Sequence, residues 1–488
     1  MLTNAQLNSI GFTFIQSEAE PLSPYGAELA RRPHLYTPDE HYLLVCELEN
    51  VEKLACLREW FPDEFQSLER ALMQFKDVRR SIERSREFTL TDVEFFEIKR
   101  FLICLETLSA AYAKLLKDDT LNGIDIEPFT AALDIVDPEG MRAMTFRVSD
   151  TCSRLLGNVR RERKQLDLLI RSVDNASKKE ELTANRSILA AKEADEEARI
   201  RTEMTKKFAE FADGLMSVTE SIAKLDFAAA KSLLMKKLHG IVPKVEFGGA
   251  KLSFSEMVNP KVDAVLKKKG MSFTPLSIEL KAGTTVITGA NMGGKSVAVK
   301  TLALNTLLAL HGFPVFCRTG IIPHFSEVDL LCEDMEDQLS GLSSFGGEMV
   351  RFDKIVRSST DGLKLVLLDE FARGTNPHEG SALVRAAVKF FNARKNTFAL
   401  ITTHFDYVAS FASTHYQVMG LRNADREELK ASLQTGGEKN IATLEKFMDY
   451  GLYPVEPDVN PPRDAITICR ALNVSDEFMQ LVDGKNEQ

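Results

Sequence analysis

Residues 289–296 constrain this chain more than any other segment, because they match the pattern G-x-x-x-x-G-K-[ST]. In order they are Gly289, Ala290, Asn291, Met292, Gly293, Gly294, Lys295 and Ser296. The apolar run at 284–288 predicts a strand before them, and the apolar run at 297–310 predicts a helix after them. In that context, backbone N–H groups surround phosphate oxygens at the positive end of the helix. The segment therefore predicts a phosphate-binding loop between a strand and a helix.

The last two residues of such a loop have defined tasks. Lys295 is expected to reach the β- and γ-phosphates of a nucleoside triphosphate, and the Ser296 hydroxyl is expected to bind Mg²⁺. The alternative is a chance glycine-rich turn. Two segments further along the chain argue against that alternative.

Polar residues follow two later apolar runs. Asp369 and Glu370 come directly after the run at 365–368, and His404 follows the run at 400–403. Buried parallel strands typically have continuous apolar sequences of this kind, and open α/β sheets bind ligands at the carboxyl ends of their strands. Asp369 is therefore predicted to hold Mg²⁺, directly or through water, and Glu370 to orient and deprotonate an attacking water. A histidine after a strand is often an ordinary loop residue, but its order after the other two segments favours a functional role.

Three segments together resemble the MutS superfamily of ATPases. Thr-Gly-Ala-Asn-Met-Gly-Gly-Lys-Ser at 288–296 is similar to the family's nucleotide loop, and Leu-Leu-Asp-Glu-Phe-Ala-Arg-Gly-Thr at 367–375 to its second strand and turn. Between them, residues 337–349 are similar to the family's Ser-Thr-Phe segment. The resemblance covers about residues 244–425.

The resemblance implies an α/β ABC-type P-loop ATPase domain, with a mostly parallel sheet flanked by helices, over residues 244–425. ATP and Mg²⁺ are the implied ligands, and His404 is the implied sensor of the γ-phosphate. In the family the Ser-Thr-Phe segment faces the ATP of the partner subunit. Ser343 and Ser344 are therefore expected to complete the partner's site, in a homodimer formed through the ATPase domains.

The upstream sequence resembles the lever of the recombination-associated bacterial MutS lineage. Residues 135–140 and 149–156 are similar to the lever entry, and 222–230 to its return. Apolar residues alternate at spacings of three and four between 208 and 225, which is an a/d seam. The expected organisation is an all-α core at 1–130, a pair of long antiparallel lever helices at 131–240, and a helical tail at 426–488. The charged stretch at 174–207 predicts a continued helix or a helical hairpin tip, without the DNA clamp of full-length relatives.

The macromolecular partner has two candidate classes. The absent clamp and the formal net charge of −10 favour a protein client. By overall likeness, the chain resembles the MutS-like subunit that reactivates adenosylcobalamin-dependent aminomutases acting on lysine or ornithine. The alternative is a DNA-binding ATPase of mismatch repair or recombination, which family resemblance favours. The basic residues at 160–164 and 267–269 are either a DNA contact or solvated surface. A degenerate nucleotide-binding scaffold is a third interpretation, which the intact set of polar residues argues against.

Three smaller observations complete the sequence-based expectations. Phe273, just before the ATPase strands, is the candidate for stacking on adenine, although core packing would explain it equally well. The seven cysteines are scattered without C-x-x-C spacing, which indicates reduced thiols of a cytoplasmic protein. No apolar run reaches the length of a membrane span, so no membrane association is expected.

Overall fold

The computed structural model describes residues 2–117, 119–289, 294–332, 344–358, 361–421, 447–456 and 474–482, together with Ile466 and Cys469. Its contacts divide the chain into two compact units. The sheet unit comprises Met1–Ala19, Pro33–Glu52 and Lys231–Gln488, and the helical unit comprises Glu20–Arg32 and Lys53–Ala230. Within the described residues, no helix is both long and apolar enough to span a membrane.

The helices are, in chain order, α1 (Asn4–Ile10), α2 (Phe12–Glu18), α3 (Pro24–Arg31), α4 (His41–Trp60), α5 (Pro62–Leu72), α6 (Arg79–Arg84), α7 (Asp92–Leu116), α8 (Thr130–Val136), α9 (Arg154–Ser172), α10 (Ala176–Ala209), α11 (Ala212–Lys237), α12 (Pro260–Lys268), α13 (Lys295–Leu310), α14 (Ser344–Arg357), α15 (Pro377–Asn392) and α16 (Asp476–Val482). Short 3-10 turns lie at Pro38–Glu40, Asp150–Cys152 and Ala409–Phe411.

The strands are β1 (Lys244–Glu246), β2 (Lys251–Met257), β3 (Leu276–Lys281), β4 (Gly283–Thr288), β5 (Thr319–Pro323), β6 (Glu327–Leu331), β7 (Lys364–Leu368), β8 (Thr397–Thr403), β9 (Thr414–Gly420) and β10 (Asp449–Pro454). Six of them form a sheet in the order β10-β9-β4-β8-β7-β6, in which only the β9–β10 pairing is antiparallel. This is the mostly parallel sheet that the sequence predicts. A second sheet of mixed direction, in the order β1-β5-β2-β3, was not anticipated.

The central strand β4 shows why a threonine-rich segment can form the core of a parallel sheet. All six of its residues are buried. The Thr284 hydroxyl donates a hydrogen bond to the Val388 carbonyl oxygen of α15 at 3.0 Å, so its polar group has a partner inside the core. The β-branched side chains also suit a pleated strand. Strand β4 is thus covered on both faces, and its carboxyl end leads directly into the glycine loop.

Within the helical unit, α9 packs along α10, the charged segment that the sequence places between the two expected lever helices. Arg160 is 7 % exposed and donates hydrogen bonds to Glu193 at 3.0 Å, to Glu197 at 2.5 Å and to Asp150. Its charge is therefore balanced inside the helix pair, and this arginine is not available to a DNA phosphate. The remaining residues of that basic cluster are exposed or half-buried.

The seam at 208–225 lies at the end of α10 and along α11, and it is a buried stripe. Phe208, Leu215, Ile222 and Leu225 have no exposed surface. They are spaced by seven, seven and three residues, so they share one face of a helical path. The stripe therefore serves as core of the helical unit.

The compact units do not coincide with the domain boundary predicted at residue 130. The first helices belong to the sheet unit, because Gln6 Nε2 donates to the Leu330 carbonyl oxygen at 2.8 Å and Asn259 Nδ2 donates to the Ile10 carbonyl oxygen at 3.0 Å. Residues 53–230 form one unit across the predicted core and lever. Hydrogen bonds between segments that are far apart in the chain cannot be predicted from local periodicity.

Candidate nucleotide-binding site

The candidate site lies where β4, β7 and β8 end. In the sheet, Thr288 is opposite Thr403, and Leu368 is opposite Ile401, so the three strands end close together. The residues that follow them are Gly289, Asp369 and His404. This edge is where open α/β sheets place their ligands.

The glycine loop is described at its two ends, Gly289 and residues 294–296. Ala290, Asn291, Met292 and Gly293 lie outside the described residues. Gly294 has φ +88° at the start of α13, a conformation that side chains rarely adopt. A Cβ at this position would also lie 3.1 Å from Tyr450 Cδ1. The glycine is therefore required both by its backbone and by the close aromatic neighbour.

Lys295 is buried at the centre of the site. Its Nζ donates to the Gly289 carbonyl oxygen at 2.8 Å and lies 3.5 Å from Glu370 Oε1. Burial lowers the pKa of Lys295, and the nearby Glu370 carboxylate opposes that shift. The lysine thus lies between the loop backbone and the carboxylate after β7.

Asp369 accepts two hydroxyl hydrogen bonds on one oxygen. Ser296 Oγ donates to Asp369 Oδ1 at 3.1 Å, and Thr402 Oγ1 donates to the same atom at 2.8 Å. Burial raises the pKa of Asp369 most strongly, while these two hydrogen bonds lower it. Thr402 also accepts from the Glu370 N–H at 2.8 Å. Sequence reasoning missed Thr402, because it sits inside an apolar strand and only the register of β7 against β8 brings it to the acids.

These oxygens fit Mg²⁺. Octahedral Mg²⁺ has oxygens at about 2.0–2.1 Å, so two neighbouring oxygens lie about 2.9 Å apart. The 3.1 Å between Ser296 Oγ and Asp369 Oδ1 matches that spacing closely. The described residues contain no group of three or more histidine, cysteine, aspartate or glutamate side chains able to hold a metal ion. A magnesium site needs no such group, since it takes one or two protein oxygens with phosphate and water.

Glu370 has an unusual backbone and two cationic neighbours. Its φ is +51°, in the left-handed region. Arg373 Nη1 donates to Glu370 Oε2 at 2.8 Å, and Lys295 approaches the other carboxylate oxygen. The carboxylate is therefore held between two positive charges.

His404 places a polar atom in the site without a protein partner. Its Nδ1 is buried and has no hydrogen-bond partner among the described residues. Burial lowers the pKa of His404, which keeps the ring neutral at neutral pH. Glu370, Lys295 and Arg373 all act on its charge state, so these groups lie within electrostatic range of the ring. A buried orphan nitrogen of this kind is suited to a hydrogen bond with a ligand.

A cavity of about 710 Å³ opens beside these residues. Lys295, Ser296 and Glu370 line it, and so do the aromatic residues Phe273 and Tyr450. The other lining residues are the polar Lys269, Ser272 and Thr274, the glycines Gly270 and Gly294, and the apolar Val262, Leu266, Met271, Leu276, Val297 and Met448. Its size lies within the range of small-molecule sites, about 300–1,000 Å³. Phe273 is thus at the cavity wall and also nearly buried, so the stacking and the core-packing interpretations both remain. Tyr450 was not predicted as a site residue, because only the pairing of β10 with β9 brings it to the loop.

The structure describes little of the two serines that are predicted to complete the partner subunit's site. Ser343 lies outside the described residues, and Ser344 is the first residue of α14, with its side chain outside them. Their role therefore stays a prediction.

Comparison with known proteins identifies the domain that carries this site. Residues 285–460 match the family model of MutS domain V. The chain is 33 % identical over 239 residues to "Endonuclease MutS2" of Thermotoga neapolitana, which covers 48 % of this chain and 30 % of that relative. A protein of the same name from Finegoldia magna is 33 % identical over 246 residues, covering 49 % and 30 %. The one from Anaeromyxobacter sp. is 28 % identical over 298 residues, covering 59 % and 36 %.

The matched stretch thus spans about a third of the length of these relatives. Within this chain, the domain V match covers the glycine loop, the strands that Asp369 and His404 follow, and the strand that contains Tyr450. MutS domain V is an α/β ATPase domain, in agreement with the six-stranded sheet. Residues 285–460 therefore form a domain of the MutS domain V family, which confirms the resemblance seen in this part of the sequence.

Proposed function

We propose that this protein binds and hydrolyses Mg-ATP at the edge formed by β4, β7 and β8. The observation that carries the proposal is that Lys295, Ser296 and Glu370 line one cavity. Asp369 is hydrogen-bonded to Ser296, and His404 lies within electrostatic range of Lys295 and Glu370. They carry the cation, metal-binding oxygens, carboxylate base and neutral donor that phosphoryl transfer to water requires. The match of residues 285–460 to MutS domain V supports a nucleotide-binding ATPase domain in this part of the chain.

Each residue has a definite task in the proposed reaction. Lys295 moves from the Gly289 carbonyl oxygen to the β- and γ-phosphates, whose charge attracts it more strongly than a backbone dipole does. Ser296 and Asp369 would hold Mg²⁺, which when bound offsets the negative charge of the phosphates. Glu370 accepts a proton from the attacking water, and His404 donates a hydrogen bond to the γ-phosphate.

The aromatic side chains that line the cavity favour ATP as the nucleoside triphosphate that binds there. Phe273 and Tyr450 are aromatic side chains that line the same cavity as Lys295. Aromatic faces bind a purine by stacking. We assign the base to the part of the cavity that these two rings line, with Tyr450 as a stacking residue beside the predicted Phe273.

A homodimer with shared sites is part of the proposal. Ser343 and Ser344 of each subunit would contact the γ-phosphate in the other subunit, so ATP would stabilise the closed dimer and hydrolysis would release it. Hydrolysis should then depend on protein concentration. Replacing both serines by alanine should slow hydrolysis while sparing ATP binding, and turnover by a strict monomer would contradict the shared site.

DNA is the proposed partner. The relatives carry the name endonuclease, and family membership favours DNA over the aminomutase client that the sequence-based reasoning preferred. No comparison supports that client, so the order of the two hypotheses is reversed. Nuclease activity itself is not carried over, because the match spans only 30–36 % of those relatives.

The first experiment measures ATP binding and hydrolysis with two variants. Lys295→Ala should abolish ATP binding, because the buried ammonium is the site's main phosphate ligand. Glu370→Gln should retain binding but lose hydrolysis, because a carboxamide cannot take the proton. Wild-type turnover by Glu370→Gln would exclude this residue as the base.

The second experiment identifies the partner. The Glu370→Gln variant, loaded with Mg-ATP, would be used to capture partners from a native lysate with and without nuclease. Recovery of nucleic acid, or of partners lost on nuclease treatment, supports DNA. Stoichiometric recovery of one nuclease-resistant enzyme would instead establish a protein client.

A further inference from the structure

The turn that carries Glu370 is strained. Glu370 has φ +51° and Ala372 has φ +62°, and neither residue is glycine. A residue other than glycine is strained in this conformation, which persists only where its surroundings hold it. The orientation of the Glu370 carboxylate therefore depends on what grips this turn.

Helix α14 holds the turn from one side with two contacts. Glu348 Oε1 accepts a hydrogen bond from the Ala372 N–H at 3.2 Å. One helical turn further on, the Phe352 ring stacks on Phe371 with centroids 4.4 Å apart and planes inclined at 30°. The first contact binds the strained backbone itself, and the second anchors the residue between the two left-handed positions.

The opposite side is closed by α15 and leaves the turn little room. A Cβ on Gly380 would lie 2.9 Å from the Ala372 carbonyl oxygen and 2.7 Å from Phe405 Cζ. Phe371 itself is 1 % exposed within the core formed with α15. The Ala372 peptide is therefore confined between Glu348 in front and Gly380 behind.

From these contacts we infer that Glu348 is a positioning residue for Glu370. The Glu348 carboxylate holds the Ala372 N–H, which keeps the turn in its left-handed form and aims the Glu370 carboxylate at the water. Helix α14 begins at Ser344, so the helix predicted to touch the partner's ATP is also the one that holds this turn. The inference rests on the proposed ATP hydrolysis.

The test compares Glu348→Ala, Glu348→Gln and Asp353→Ala in steady-state Mg-ATP hydrolysis, with ATP affinity and melting temperature measured for each. Glu348→Ala should lower kcat by about 10- to 100-fold, as expected for one lost hydrogen bond to a confined N–H. Its KM and its affinity for ATP should stay within about twofold, because Glu348 does not line the cavity. Glu348→Gln should recover most of the rate, since the carboxamide oxygen still accepts from Ala372.

Asp353→Ala is the matched control. Asp353 lies on the same helix, where it pairs with Arg357 at the surface, and its loss should leave kcat unchanged. If Glu348→Ala does not fold, Glu348→Asp replaces it, because its shorter carboxylate cannot reach Ala372 and should lower kcat similarly. A wild-type kcat in the alanine or aspartate variant overturns the inference, as does equal impairment in Glu348→Gln. Absence of hydrolysis in the wild-type protein would overturn the proposed function itself.

Discussion

Replacing Tyr450 by alanine tests the assignment of the base end of the cavity. Tyr450 lines the cavity from β10 and lies close to Gly294 at the end of the loop. If adenine stacks on this ring, truncation removes one base–aromatic contact and leaves the phosphate ligands in place. Such a contact is worth about 1–3 kcal/mol, so the dissociation constant for ATP should rise about 5- to 150-fold.

The assay compares two ligands by calorimetry. ATP carries the base, and inorganic tripolyphosphate carries only the phosphate chain. Tyr450→Ala should raise the dissociation constant for ATP by about 5- to 150-fold, and that for tripolyphosphate by less than about twofold, because Lys295 and Ser296 are unchanged. Tyr450→Phe should bind ATP like the wild type, since the ring face is kept.

Tyr453→Ala is the matched control for this experiment. Tyr453 lies on the same strand, and its hydroxyl donates to Asp449 at 2.9 Å, but it does not line the cavity. If Tyr450→Ala weakened the binding of ATP and of tripolyphosphate equally, stacking of adenine on this ring would be refuted. It would show instead that Tyr450 acts through Gly294 on the shape of the loop.

Two further predictions concern charge. Burial raises the pKa of Asp369, so its carboxylate takes up a proton at a higher pH than an exposed aspartate does. Mg²⁺ needs the ionised form, so calorimetry at falling pH should show Mg-ATP affinity decreasing at a higher pH than an exposed aspartate would produce, while metal-free ATP affinity does not follow; parallel curves would contradict this. In the helical unit, Arg160→Met should lower the free energy of unfolding by about 3 kcal/mol, because it leaves buried Glu193 with one partner fewer. Arg161→Met, at an exposed neighbour, should change it by less than about 0.5 kcal/mol in the same denaturant titration, and equal effects would exclude Arg160 as the structural residue.

The place of the candidate site in the fold could be predicted from local sequence. The segments directly before Gly289, Asp369 and His404 consist of apolar residues and threonines, and the structure has each of them as a strand. Parallel strands bring their carboxyl ends to one edge, so the order of three motifs was enough to expect one site. The family match over residues 285–460 agrees with that expectation.

Other site residues could not be found in this way. Thr402 is one polar residue inside a buried run, and only its position beside Asp369 gives it a role. Tyr450 becomes a cavity residue through an antiparallel pairing between β9 and β10. Glu348 gains its contact to Ala372 from the docking of α14 on the turn. None of these three has a spacing that predicts its partner.

By itself, the sequence determined that this chain has a loop of the pattern G-x-x-x-x-G-K-[ST], followed by one strand that precedes two acids and another that precedes a histidine. Those features are local, because glycine conformations, apolar runs and helix starts depend on neighbouring residues. The tertiary structure decided which segments form a unit and which charges are free. It grouped the first helices with the sheets and buried Arg160 among carboxylates, although the sequence presents that arginine as part of a basic cluster. Burial and ion pairing between segments far apart in the chain are set by packing, so only the folded chain could show them.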